Sequence, residues 1–442
     1  MLRKILLIAF TSIFAAVFSG AETPRKPSAA STLLEKARRG DAQSQLQLGF
    51  AFFQQGNPVR AAYWFNAAAQ QNLPEAQYNM GRCNQNGYGV EKNLHTAQKW
   101  FELAAAQGLQ PAQLALAKLY LSGIAAANDA VPPRPAIPPD EKKAYALLEK
   151  LISQNIPEAC TIYAGNLISK HYAETPPEKI IQLLEKAVAA QHPEAMLMLA
   201  DYLLSRQDHH RNEVRARALL QKAAPASPAA MARWAFVVEH GFGAPPDPAQ
   251  AFELYQKSLA KEFSAQAAVR LANYYFTGRS PIPQDIPYAV KLYRQAADTG
   301  HPEALYKLGS CFNEGIGLER NTEEAFELFF QAAKLDYPPA QYAVGRCFEL
   351  GSGTPQDDRA AFYWYYQAAL RYEPRSLLEA GRRMLDGRGT DRNPQQAAIL
   401  LEQALANGMT EAAGLLAKAR RMTQPIQPAP PPVLRFKLPQ QP

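Results

Sequence analysis

A chain of 442 residues, 47% hydrophobic and 20% charged, is long enough for two or three globular domains or for one repeat array that lengthens without enlarging a single core. That composition excludes a disordered polyelectrolyte. The formal charge of +7 falls to +5 if Arg3 and Lys4 are removed, too little for the concentrated positive face of a nucleic-acid binder.

The chain opens with Arg3 and Lys4, an uncharged apolar run from Ile5 to Phe18, and the small residues Ser19-Gly20-Ala21. This is the layout of a secretory signal over residues 1–21, cleaved after Ala21. The run is short for a bilayer span, which needs roughly 20 apolar residues. An uncleaved anchor is therefore the second choice, and no stable membrane insertion is expected after cleavage. The expected location is periplasmic or secreted. Residues 22–32 read as a flexible lead-in, and Leu33, Leu34 and Ala37 as a lone helix that caps the first repeat.

Self-similarity then organises residues 33–421. Pro74-Glu75-Ala76-Gln77-Tyr78-Asn79-Met80-Gly81 returns as Pro302-Glu303-Ala304-Leu305-Tyr306-Lys307-Leu308-Gly309 and, in part, at Pro339–Gly345. Anchoring each unit on its small residue gives positions 267, 304, 340, 376 and 412, spaced 37, 36, 36 and 36. Each unit reads as two helices. Pro at the first helical position sacrifices no hydrogen bond, and the Glu after it faces the positive end of the helix dipole. Places two, four and eight after the anchor are apolar and predict the buried face; place five is always Gly or Ala and predicts close approach of a second helix. Glycine pairs such as Gly87/Gly89, Gly241/Gly243, Gly315/Gly317, Gly351/Gly353 and Gly387/Gly389 end the first helix. The second helix carries Ala-x-x-bulky-aromatic-x-x-Ala-Ala, as in Ala97, Trp100, Phe101, Ala104 and Ala105.

Three stretches depart from the pattern. Repeat three holds an insertion, 125–139, with five prolines, expected as an extended surface loop. Repeats four and five replace the glycine turn with His171–Pro177 and Asp208–Asn212. In repeat nine, Phe362–Tyr366 are five consecutive aromatics, which cannot all face one core. Residues 412–421 predict an unpaired closing helix, and the Pro- and Gln-rich residues 422–442 predict a disordered tail in which 433–438 is a candidate docking peptide.

This pattern closely resembles the Sel-one-like repeat, a member of the tetratricopeptide-like helical superfamily. The resemblance implies an all-α, right-handed superhelical solenoid of about ten helix-turn-helix repeats of roughly 36 residues, working in scaffolding or complex assembly.

The residues offer little chemistry of their own. The glycine pairs follow helices and recur with the repeat, so they are turns and not phosphate loops. No His, Cys or carboxylate cluster has metal-ligand spacing; His209-His210 beside Asp208 comes nearest and reads as a polar loop. Cys83, Cys311 and Cys347 share one repeat position, and Cys160 stands apart. Helices 8–10 Å apart are too distant for a bridge that needs Cα atoms within about 7 Å, so free thiols are expected over a Cys311–Cys347 bridge. No cofactor and no enzymatic activity are expected. Places three and six after the anchor supply Arg233, Arg270, Lys307, Arg346 and Arg382, one cation per successive repeat. They form either a ladder for an acidic protein or peptide partner or a solvated helix face. The expected function is thus an exported protein-binding scaffold. The alternative is a periplasmic protein that binds or hydrolyses peptidoglycan, or binds penicillin as the cysteine-rich relatives of this repeat do, whose paired cysteines this sequence lacks.

Overall fold

The computed structural model describes residues 29–125, 136–171, 173–278 and 282–423. The expected signal at 1–21, the tail beyond 423 and most of the insertion lie outside these residues. The described chain is an all-α solenoid of 22 helices. A cap helix, Ala29–Arg38, is followed by ten helix pairs and a closing helix, Ala412–Thr423. The cap starts four residues before the expected Leu33, because Ala29 and Ala30 extend it with strong helix formers. The closing helix runs two residues into the segment expected to be disordered.

The chain forms two compact units, divided after Ala223. In the first, the first helices Ala42–Gln54, Pro74–Asn86, Gln110–Ser122, Pro157–Lys170 and Pro193–Ser205 pair with the second helices Pro58–Ala69, Leu94–Ala106, Glu141–Ser153, Pro177–Ala189 and Glu213–Ala223. In the second, Pro228–His240, Ala265–Thr277, Pro302–Glu314, Pro338–Leu350 and Pro374–Asp386 pair with Pro248–Lys261, Ile286–Ala297, Thr322–Lys334, Asp358–Ala369 and Pro394–Ala406. The base of the repeat-three insertion is pinned by reciprocal hydrogen bonds of 2.8 Å between Ile124 and Ile137.

The helix boundaries are chemically marked. Asn or Asp caps most second helices: Asn93, Asp140, Asp247, Asp285, Asn321 and Asn393 accept a hydrogen bond from the third helical N–H. Such a cap contributes about 1 kcal/mol. Repeat four lacks this cap and begins its second helix behind Pro176.

The buried stripe of the first helix differs from the expected one. In repeats two, eight and nine the anchor and places four, five and seven are buried, as in Ala304, Leu308, Gly309 and Cys311. The aromatics at place two are only half-buried. They straddle the rim and pack on the second-helix ring: Tyr78 on Phe101 at 5.8 Å, Tyr306 on Phe329 at 5.6 Å, Tyr342 on Tyr365 at 5.5 Å. Place five is where the helices touch. A Cβ on Gly49 or Gly81 would fall 2.4 Å from the ring of Phe65 or Phe101, and on Gly345 2.8 Å from that of Tyr365.

Successive repeats meet at a defined seam. In repeats two, eight, nine and ten the second glycine of the turn rests on the start of the preceding repeat's second helix. A Cβ on Gly353 would lie 2.0 Å from the Thr322 carbonyl oxygen, and on Gly389 1.9 Å from that of Asp358. Both glycines have φ near +70°, so the left-handed backbone and the close approach demand glycine together. Neighbouring first helices also touch: Pro157–Lys170 contacts Gln110–Ser122 and Pro193–Ser205, and Ala265–Thr277 contacts Pro302–Glu314. Among the described residues no pair of second helices is in comparable contact. Within each unit the first helices therefore form the inner side.

All four cysteines are free and buried. Of the aromatic run, Tyr365 is fully buried, Trp364 packs on Phe330 at 5.6 Å, and Tyr363 is 53% exposed.

Candidate functional site

Because first helices line the inner side, their outward places three and six face the space each unit can offer a partner. In the second unit these places carry the five expected cations, and three of them, Arg233, Arg270 and Arg382, have aromatic or carboxylate partners. The Arg233 and Arg270 guanidinium groups lie over the same Phe236 ring, 4.8 and 5.7 Å from its centre. Arg270 also stands 3.9 Å from the Glu303 carboxylate. It thereby links repeat six to repeat eight through its own repeat seven. Lys307 is half-buried, while Arg346 and Arg382 are exposed. Arg382 pairs with Glu379 one helical turn away at 3.4 Å.

The surroundings of the ladder are mixed in character. Tyr337 and Tyr306 rings sit 5.7 Å apart beside Arg270 and Glu303. Burial, helped by the Glu303 charge, pushes the Tyr337 hydroxyl up to about 12. Burial likewise raises the Glu379 carboxyl above its ordinary value, against the pull of Arg382. Arg375 adds a further cation, 6.0 Å from the Tyr342 ring. Sequence reasoning found the cations and missed Phe236, Glu303 and Glu379. Their signal was present: each stands at a repeat-aligned position next to a ladder residue.

In the first unit the corresponding places hold Phe50 and Arg82. With Phe53, Phe65, Asn79, Cys83 and Tyr88 they line a shallow recess. Phe50, Phe53 and Tyr88 are each about two-fifths exposed.

A second group lies at the seam of repeats four and five. The polar loop expected around His209-His210 is not isolated, because Glu178 of the preceding repeat reaches it. Ligand atoms of Glu178, His209 and His210 all lie within 4.8 Å of one another. Spacing along the sequence does not show this group, because the third residue is 31 positions away and only the stacking of repeats brings it close. Elsewhere the repeat-ten counterpart of the buried cysteines is Arg383, 2% exposed, which pairs with Glu349 at 2.7 Å and Asp358 at 3.0 Å. This network ties repeats nine and ten together.

Comparison with known proteins places the fold. No curated protein matches the sequence. Among solved structures, a protective antigen of uropathogenic Escherichia coli with an SLR fold superposes with a TM-score of 0.54 at 23% identity, over 89% of this chain and 90% of that one. A Sel1 repeat protein of Oxalobacter formigenes gives a TM-score of 0.50 at 22% identity, over 55% of this chain and 98% of that one. The Sel1 repeat model matches nine segments, 42–73, 74–109, 110–156, 193–224, 228–262, 265–301, 302–337, 338–371 and 374–409. Repeat four, which lacks both the glycine turn and the Asx cap, is the unmatched pair. With these matches covering well over half its length, the chain belongs to the Sel1 repeat family.

Proposed function

We propose that this protein is an exported scaffold that grips an acidic protein or peptide along the inner face of its second unit. Sel1 repeat proteins are generally non-catalytic scaffolds for protein–protein interaction. The observation that carries the finer reading is the cation on each of five successive first helices: Arg233, Arg270, Lys307, Arg346 and Arg382. Spacing by one repeat suits an extended segment, whose carboxylates meet successive cations through charge-assisted hydrogen bonds. Glu303 and Glu379 temper the positive field, so selectivity comes from register and not from net charge. Export rests on the Arg3–Ala21 sequence. Among the described residues no helix is long and apolar enough to cross a membrane. Nothing favours the cell-wall alternative, because the cysteines are single, free and buried.

Pull-down from periplasmic extract, set against sedimentation with purified cell wall, tests the class of partner. Capture of a defined protein is expected, and wall binding without a protein partner would overturn the proposal. Charge reversal at Arg270, Lys307 and Arg346 should weaken the captured complex and flatten its salt dependence. Unchanged affinity would return these residues to a merely solvated face.

A further inference from the structure

The turns of repeats four and five solve a problem that the turns of repeats two, eight, nine and ten solve with glycine. In repeats two, nine and ten, Gly89, Gly353 and Gly389 let the turn backbone rest on the first residue of the preceding second helix. Repeats four and five have no glycine there, and an imidazole takes over the contact. His171 Nε2 lies 3.0 Å from Glu141, at the first position of the repeat-three second helix. His210 Nε2 lies 3.1 Å from Glu178, at the second position of the repeat-four second helix.

The two seams then diverge. At the first, His171 has Glu141, Glu174 and Lys170 around it and, among the described residues, no second imidazole. At the second, His209 lies with its ring centre 3.9 Å from that of His210, and both face Glu178. A tetrahedral ion with bonds of about 2.1 Å holds its ligand atoms roughly 3.4 Å apart. The three ligand atoms here are at most 4.8 Å apart. Closing that gap takes about 1.4 Å, within reach of a side-chain adjustment.

The support around the ligands also fits. Nδ1 of His210 lies 3.3 Å from Asp208 Oδ1, an ion-pair distance at which no hydrogen bond is formed, while Nε2 meets Glu178 at 3.1 Å. Asp208 is itself fixed by the ion pair with Arg206 and by the His210 backbone N–H at 3.0 Å. A small ring rotation would let Asp208 accept from Nδ1, the arrangement in which a carboxylate behind a ligating imidazole orients it and raises its basicity. Two imidazole nitrogens and one carboxylate oxygen suit a borderline divalent ion such as zinc. They are too few oxygens for calcium and hold no sulfur for a softer ion. The exposure of Glu178 and His209 leaves the fourth position to water.

We infer that Glu178, His209 and His210 form a binding site for a zinc-class divalent cation that clips repeat five onto repeat four. The ligands come from two repeats, so occupancy stiffens a seam that has lost its glycine contact. This site lies in the first unit and does not depend on the cation ladder of the second.

The test uses untagged full-length protein, stripped with chelator and titrated with zinc alone by calorimetry. One saturable equivalent is expected, and zinc should slow hydrogen exchange in residues 206–212 and at the start of the 177–189 helix. His209→Ala and His210→Ala should each lower affinity by about 100-fold, and Asp208→Asn by about 10- to 100-fold. Glu178→Gln keeps the shape and a hydrogen bond to His210 but loses the anionic ligand, so it separates loss of metal from loss of folding. His171→Ala, at the analogous turn, should leave affinity unchanged. Absence of saturable binding, or binding retained by the His209→Ala/His210→Ala double variant, would overturn the inference.

Discussion

Replacing Gly81 with alanine adds one methyl group, and its effect can be worked out from the geometry. The new Cβ would lie 2.4 and 2.5 Å from two ring carbons of Phe101. Carbon atoms in contact rest about 3.5–4.0 Å apart, so the ring must retreat by about 1 Å. Phe101 is fully buried, with second-helix alanines and the next repeat behind it, and has nowhere to go. Overpacking of this kind costs about 1–3 kcal/mol. The helix-propensity gain of Gly→Ala returns about 0.8–1.0 kcal/mol. With two ring carbons at 2.5 Å or closer the upper part of the cost range applies, leaving a net loss of about 1–2 kcal/mol.

Gly414 is the internal control, because a Cβ there meets nothing within 4 Å. Gly414→Ala should therefore stabilise by about 0.8–1.0 kcal/mol, the propensity contribution alone. The Phe rings at this register, Phe65, Phe101 and Phe329, stand opposite glycine, whereas Tyr255 and Tyr293 stand buried opposite Ala235 and Ala272. Repeats three, four and five have Ala at place five and Leu148, Leu184 and Leu220 at that register. Phe101→Leu should accordingly rescue Gly81→Ala, with a coupling of about 1 kcal/mol or more in a double-mutant cycle. Urea denaturation followed by circular dichroism gives the midpoints, and native-state hydrogen exchange should localise the loss to residues 74–106. A Gly81→Ala protein as stable as the wild type, or shifted in the same direction as Gly414→Ala, would refute close helix contact as the reason for the small position.

Titratable groups supply two more predictions. The hydrogen bond that His171 donates to the Glu141 carboxylate, with a contribution from Glu174, raises the His171 pKa above its ordinary value, against partial desolvation. The folded state then binds the proton more tightly than the unfolded chain. The extra stability is present below about pH 6.5 and lost as pH rises through the raised value. Glu141→Gln should thus lower the melting temperature more at about pH 5.5 than at about pH 8; an equal loss at both would assign the contact to Lys170, which also pairs with Glu141 at 3.5 Å. Burial pushes the thiols of Cys83, Cys311 and Cys347 up to about 11. At about pH 8 only on the order of one in a thousand is then thiolate, against roughly a quarter for a free cysteine. Disulfide reagents should label the folded protein slowly and the urea-unfolded protein at once. Rapid labelling of any of the three in the folded state would contradict the packing described.

The fold was legible because its determinants lie close together in sequence. Glycine pairs, the small fifth place and the proline starts each act within one helix or turn, and the period repeats them often enough to be counted. The buried stripe was misplaced for a related reason. Tyr306 and Tyr342 are apolar enough to be assigned to the core, yet a ring at place two is too large to fit between helices and lies along their rim. What was not legible lies one repeat away. Arg270 finds Glu303 at a distance of 33 residues, and His210 finds Glu178 at 32. Neither pair shows as a motif, because the repeat period and not the local sequence brings them together. Aligning the units on their anchors and pairing each column with its neighbour in the next unit exposes both.

The seams show why repeats four and five carry the conditional behaviour. A glycine seam is a contact of backbone with backbone, and neither pH nor a metal ion can alter it. In repeats four and five the contact passes through His171 and His210, whose partners are carboxylates. The His171 seam gains a dependence on protonation, and the His210 seam one on a bound cation. Repeat four is also the pair that the family model does not match and the one whose second helix lacks an Asx cap. Its weak local determinants leave its position to be set by its neighbours, and the two imidazole seams are where they set it. Restoring glycine turns in repeats four and five should therefore remove the response to zinc and to pH together, while leaving the cation ladder of the second unit intact.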